Sequence, residues 1–279
     1  MSKEIENDMR IALAQYNPTV GDIAGNAGKI RQVRQLAQDV GADLVVFTEL
    51  FLTGYPPEDL VLKPAFLEQA KNAVEGLASE TAAGGPGLIV GVPWRENDNV
   101  YNAVVLLDGG EINAVRYKAI LPNYGVFDEK RVFRAGPMPG PVNFRGIRLG
   151  IPICEDIWVE DVCECLKETG AELLIVPNGS PYARGKRENR MMEAVSRVTE
   201  TGLPMLYVNQ VGGQDELAFD GASFVLNTRG GLALQMPSWD EAMTLSHWRR
   251  SNDEWSCARS ELNTLEGPEC ADYLACVIG

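Results

Sequence analysis

Histidine is almost absent from this chain: His247 is the only one in 279 residues. A nucleophile relay through imidazole would have to use that single ring, which lies in a polar stretch toward the C-terminus, away from any strand motif. Metal-ligand spacing is lacking too. Cys163 and Cys165 are too close for a zinc-ribbon C-x-x-C pair, and no other ligands stand at suitable intervals, so no metal is expected. No apolar run approaches the roughly 20 residues that span a bilayer. The start, MSKEIENDMR, is charged and has no apolar signal core, so a cytoplasmic setting is the expectation. Basic residues are outnumbered, 25 Lys and Arg against 39 Asp and Glu, a net charge of -14. Such a surface repels phosphate backbones, which argues against nucleic acid as a partner.

What is present suits a large layered fold. Apolar residues make up 45% of the chain, enough for a substantial core. Six cysteines occur, Cys154, Cys163, Cys165, Cys257, Cys270 and Cys276. With a real core and no signal segment, free thiols are expected rather than disulfides.

Short apolar runs alternate with helical patterns. RIALAQY (Arg10 to Tyr16) reads as a strand, and Asn26 to Val40 as a helix with Ile30, Val33, Leu36 and Val40 on one face. DLVVFTE reads as a strand ending at Glu49, Pro64 to Ser79 as a helix, and LIVGVPW as a strand. Gly109-Gly110 then sits between two β-rich runs, a hairpin signal. The order recurs. RGIRLGIPIC predicts a strand running up to Cys154, VEDVCECLKETG a helix closed by Gly170, and ELLIVPN a strand. Arg184 to Thr201 is a helix, MLYVNQVG a strand, and a second hairpin turns near Arg229-Gly230. Two such halves, each a mixed sheet with helices on one face, stack into an α/β four-layer α-β-β-α sandwich. That domain is expected over residues 1–240. Residues 241–279 are polar with scattered tryptophans and then turn apolar at CADYLACVIG; they read as a linker or extension followed by the start of a helix.

Three segments carry the chemistry: Glu49 in VVFTELFLTGYPPEDL, Lys118 in YKAILPNYGVFDEKRVF, and Cys154 in GIPICEDIW. Strand ends open onto loops, where reactive groups collect. Singly, each has an ordinary explanation: a solvated charge at a strand end, or an inert buried thiol. Cys154 is less ordinary, because its apolar run leads straight into Glu155, Asp156 and Trp158. Together the three types can cleave an amide. A thiol of pKa ~8.5 is mostly protonated at neutral pH. An ammonium favours its anion, and a carboxylate can take its proton and return it to the departing amine.

TELFLTGYPPEDL, LPNYGVFDEKRVF, PICEDIW and PNGSPYARGKRENR resemble, in this order, the nitrilase or carbon-nitrogen hydrolase superfamily. Within it they are most similar to the glutaminase domains of glutamine-dependent NAD synthetases. The likeness runs from about Arg10 to Pro237. It implies Glu49 as general base, Lys118 as oxyanion stabiliser and Cys154 as the nucleophile that forms a γ-glutamyl thioester, with L-glutamine as substrate. It also implies Glu129 as a second glutamate orienting the lysine; the alternative is a surface ion pair with Lys130 or Arg131. Tyr124, Ser180, Lys186 and Glu155 are implied in substrate binding. Their plainer readings are a loop anchor, a turn residue, and surface charges. A cation at a helix start opposes the macrodipole, which favours a functional Lys186. The resemblance further implies homo-oligomers and a partner synthetase domain. ATP and magnesium belong to that domain, whose Ser-Gly-Gly-x-Asp-Ser loop does not occur here, and no cofactor is expected of this chain. A chain cut at a domain junction is the expectation. A free-standing amidase of the same superfamily, a non-catalytic scaffold and a His247-dependent hydrolase are the competing readings.

Overall fold

The computed structural model describes residues 4–278; Met1 to Lys3 of the charged start and Gly279 of the apolar end lie outside them. The first sheet is built from β1 (Asp8–Gln15), β2 (Leu44–Val46), β3 (Gly87–Glu96), β4 (Asn99–Asp108) and β5 (Glu111–Tyr117). Its helices are α1 (Ile23–Asp39) and α2 (Pro64–Glu80). A one-turn helix, α3 (Glu129–Val132), follows in the loop after β5. The second sheet comprises β6 (Val142–Phe144), β7 (Ile147–Gly150), β8 (Leu173–Asn178), β9 (Met205–Asn209), β12 (Phe224–Asn227) and β13 (Gly231–Gln235), with α4 (Glu160–Glu168) and α5 (Lys186–Thr201). A small hairpin, β10 (Val211–Gln214) and β11 (Leu217–Asp220), stands apart. The chain ends with β14 (Ala242–Ser251), β15 (Glu254–Cys257) and α6 (Pro268–Ile278).

Strand alternation assigns side chains to layers. From β1, Met9, Ile11 and Leu13 point between the sheets, while Ala12 and Ala14 face α1 and α2. From β8, Leu173 and Ile175 join the same central layer, while Leu174 and Val176 meet α4 and α5. Apolar side chains on both faces of both sheets are the physical content of the four-layer sandwich. All six cysteines are free thiols.

Local departures from the expected elements have clear causes. Helix α1 starts three residues early because the Asp22 carboxylate caps it, accepting from Gly25 N–H at 2.8 Å. Leu36 and Val40, expected on its apolar face, are 51% and 47% exposed. The buried stripe runs instead through Ile23, Ala27, Ile30, Val33 and Ala37. The largest correction concerns the division at residue 240. The segment read as a linker forms β14 and β15, and β14 pairs antiparallel with β1 from Gln15↔Ala242 to Asp8↔Arg249. It is integral to the first sheet, whose order is β15-β14-β1-β2-β3-β4-β5. Its polar look came from Thr244 and Ser246 on the face turned to the other sheet. The Ser246 hydroxyl donates to Ile11 O (2.8 Å) and accepts from Trp248 Nε1 (2.8 Å), so burial leaves it paired. The helical start expected in the apolar tail is α6.

Candidate active site

Glu49, Lys118 and Cys154 arrive from three loops at one end of the stacked sheets. Strand β2 stops at Val46, so Glu49 lies in the turn beyond it rather than in the strand. Gly91 of β3 passes directly beneath that turn; a Cβ there would collide with Leu50 N, Thr48 O and Glu49 C. Lys118 is the residue after β5, and its N–H donates to Asn102 O of β4 at 2.8 Å. Cys154 was expected at the end of a strand. Strand β7 closes at Gly150 instead, and Cys154 opens a 3-10 turn with φ +47°.

The Lys118 ammonium is fully buried between two carboxylates. It donates to Glu49 Oε1 at 2.7 Å and to Glu129 Oε1 and Oε2 at 2.8 and 2.9 Å. Glu49 also accepts from Asn102 Nδ2 at Oε1 (2.7 Å) and from Gly179 N–H at Oε2 (2.9 Å). Glu129 accepts from the Tyr55 hydroxyl at 3.1 Å. It is buried and faces Lys118, so the alternative of a surface pair with Lys130 or Arg131 is set aside. Dense hydrogen bonding offsets the desolvation of three charges.

Opposing forces set the protonation states. Burial would push the Lys118 ammonium down, but Glu129 and Glu49 override it and hold Lys118 well above the usual lysine range. Burial pushes the Glu129 carboxyl up, opposed by Lys118 and supported by Glu49. The Cys154 thiol is pushed well up, by burial first and then by Glu49, with Lys118 pulling the other way. The lysine was expected to favour the thiolate; burial and the surrounding carboxylates outweigh it. The resting group is a thiol within electrostatic reach of Glu49 and Lys118.

The substrate-side residues divide. Tyr124 is half-exposed and its hydroxyl donates to Glu155 at 2.8 Å. The Lys186 ammonium sits 4.0 Å above the Trp158 ring. Burial pushes Lys186 down, as does Arg190, while Cys154 and Glu155 raise it. Ser180 is buried, and its hydroxyl accepts from Arg190 Nε at 3.0 Å. Arg190 is itself paired with Asp220 at 2.6 Å. Ser180 is thus held in place by Arg190, with its own hydroxyl proton left to donate.

Two residues escaped the sequence reading. Asn102 touches both glutamates, at 2.7 and 3.4 Å. Its signal was an asparagine inside an apolar strand, where that type is depleted. Asp156 is fully buried and accepts three main-chain N–H bonds, from Ile153, Ala119 and Ile120. Burial pushes it up to about 7 against those N–H groups and Lys118. Among the described residues, no group of three or more His, Cys, Asp or Glu side chains is arranged to hold a metal ion, and no helix is long and apolar enough to cross a membrane.

Residues 10–251 match the carbon-nitrogen hydrolase family. A glutamine-dependent NAD(+) synthetase of Rhodobacter capsulatus is 46% identical over 270 residues, 97% of this chain and 49% of that protein. The structure of a glutamine-dependent NAD+ synthetase from Acinetobacter baumannii, in complex with ADP, superposes with a TM-score of 0.91 at 34% identity. That likeness covers 97% of this chain and 51% of the other. An amidase from Nesterenkonia sp. superposes with a TM-score of 0.77 at 25% identity, over 90% of this chain and 93% of the amidase. The chain spans about half the length of the curated relatives it matches.

Proposed function

The chain belongs to the carbon-nitrogen hydrolase family, and on that premise we propose that it is the ammonia-releasing glutaminase domain of a glutamine-dependent NAD synthetase. The observation that carries this reading is the buried Glu49–Lys118–Glu129 cluster set beside the Cys154 thiol.

Glu49 takes the thiol proton as Sγ attacks the γ-amide carbon of L-glutamine. The carbonyl oxygen becomes an oxyanion, met by the Lys118 ammonium and the N–H that follows Cys154. As the tetrahedral centre collapses, the C–N bond breaks and Glu49 returns its proton to the leaving ammonia. A γ-glutamyl thioester remains. Glu49 then deprotonates a water, which attacks the thioester and releases glutamate and the thiol. Glu129 holds Lys118 in place. Lys186, held over Trp158, pairs with the substrate α-carboxylate. Glu155, linked to Tyr124, faces its ammonium. Every proton and electron pair is accounted for by groups of this chain, so the step needs no cofactor; ATP and magnesium would serve a synthetase domain. We place the protein in the cytoplasm, as a homo-oligomer working with that domain.

The test is covalent. A γ-diazoketone analogue of glutamine should leave one adduct per chain, on Cys154, seen by mass spectrometry; an adduct elsewhere, or none, overturns the assignment. The likeness to the Nesterenkonia amidase supports a second reading, a free-standing ω-amidase. Steady-state kinetics of Lys186→Ala separates the two: a raised KM for glutamine marks the glutaminase, an unchanged KM the ω-amidase.

A further inference from the structure

We propose that Asp156 is the positioning residue that holds Lys118 and Cys154 in register, a role that rests on the hydrolase reading above. The two reacting groups come from different sheets: Lys118 follows β5 of the first, and Cys154 follows β7 of the second. Something must fix the gap between them, because displacing a catalytic group by about 1 Å can cost on the order of 100-fold in rate.

One carboxylate spans that gap. Its Oδ1 accepts from Ala119 and Ile120 N–H, the two residues after Lys118, at 3.0 and 2.8 Å. Its Oδ2 accepts from Ile153 N–H, the residue before Cys154, at 2.8 Å. The Asp156 N–H donates back to Ile153 O at 3.0 Å, closing the turn on which Cys154 rides. Among the described residues no other side chain accepts from main-chain N–H groups of both segments. Cys154 has a φ of +47°, in the left-handed region. Such a backbone is strained for a non-glycine residue and persists only where its surroundings enforce it. The Asp156 bonds supply that enforcement on the side facing Lys118.

The chemistry selects a carboxylate. Three donors converge on two oxygens, and only a group that accepts at both ends meets them all. Asparagine has the same shape but would turn an NH₂ toward at least one N–H, so Asp156→Asn tests acceptor chemistry at constant volume. The expected result is a fall in kcat for glutamine of about 100-fold, with KM within about two-fold and far-ultraviolet circular dichroism unchanged. Alkylation of Cys154 by iodoacetamide should show an altered pH profile in the variant, since the lysine no longer faces the thiol as before. Wild-type kcat in Asp156→Asn, or a kcat that falls only in step with the folded fraction, overturns the proposal. Hydrogen exchange on the wild-type chain gives an independent check if the variant does not fold. The amides of Ala119, Ile120 and Ile153 lie outside the sheet ladders yet should be strongly protected; fast exchange at either segment overturns it. A wild-type chain without glutaminase activity sinks the parent reading and this one together, whereas an active wild type with an equally active Asp156→Asn sinks this one alone.

Discussion

Replacing Lys118 by methionine keeps most of the side-chain volume and removes the charge. In the wild type that ammonium is fully buried and lies within 2.9 Å of three carboxylate oxygens, one on Glu49 and two on Glu129. Removing one partner of a buried ion pair leaves an uncompensated charge and destabilises by about 3–5 kcal/mol. The loss should depend on pH, with a sign fixed by the carboxylates. Burial already pushes Glu129 up, and Lys118 opposes that push. Without the lysine the cluster must take up a proton to stay buried. A glutamate in the unfolded chain titrates near ~4.3. A carboxyl whose folded pKa is raised leaves stability intact below that value and lowers it as pH rises, by about 1.4 kcal/mol per unit until the folded group itself ionises. Lys118→Met should therefore cost about 3–5 kcal/mol at pH 8 but only about 1 kcal/mol at pH 5. Equilibrium urea unfolding of both proteins at the two pH values, followed by tryptophan fluorescence, measures the difference; Trp248 and Trp255 are both buried reporters. Equal losses at pH 5 and pH 8, or a variant more stable at pH 8, would refute the reasoning.

Other sites give sharper single readouts. Lys186→Ala should raise KM for glutamine at least about ten-fold with kcat little changed, as expected when uniform binding is lost; an unchanged KM favours an amidase with another substrate. Gly91→Ala forces a methyl into the backbone beneath Glu49; it should cost about 1–3 kcal/mol from overpacking and lower kcat as well, and a variant with wild-type kcat and melting temperature would contradict the tight approach. Partial burial pushes the Glu266 carboxyl up, but bonds from Ser238, Arg187 and Trp239 hold it at about 2. Its contribution should be complete above the usual ~4.3 of a free glutamate and be lost as pH falls toward 2; hydrogen exchange in α6 should rise over that window and already be elevated at neutral pH in Glu266→Gln. His247→Ala should leave glutaminase kinetics unchanged, and a ten-fold drop in kcat would revive a histidine-dependent route.

The layered architecture was legible because near-continuous apolar runs marked the doubly covered strands β1, β3 and β8, whose side chains alternate between layers, and a 3.6-residue period marked α2 and α5. Strand β14 also alternates, Met243 and Leu245 against Thr244, Ser246 and Trp248, but its inward face carries hydroxyls, so composition hid the pattern. Glu49, Lys118 and Cys154, the three groups of the proposed mechanism, could be singled out from chemistry and motif. Their mutual geometry could not, because it depends on Asn102, Asp156 and Gly179, which speak only through contacts across 130 residues or fewer of intervening chain. Nor does any local signal announce a cysteine at positive φ: that conformation is imposed by the turn around it.

The pairing of β14 with β1 joins Ser246 to Ile11, 235 positions away. A nascent chain leaving the ribosome therefore holds β1 with a neighbour on one side only until residues 242–249 have emerged. During that interval the open edge offers unpaired amides to any other strand nearby, and contacts so distant in sequence form slowly. A gene cut at residue 240 would make this interval permanent. Its product should collect in inclusion bodies, although Glu49, Lys118 and Cys154 are all encoded.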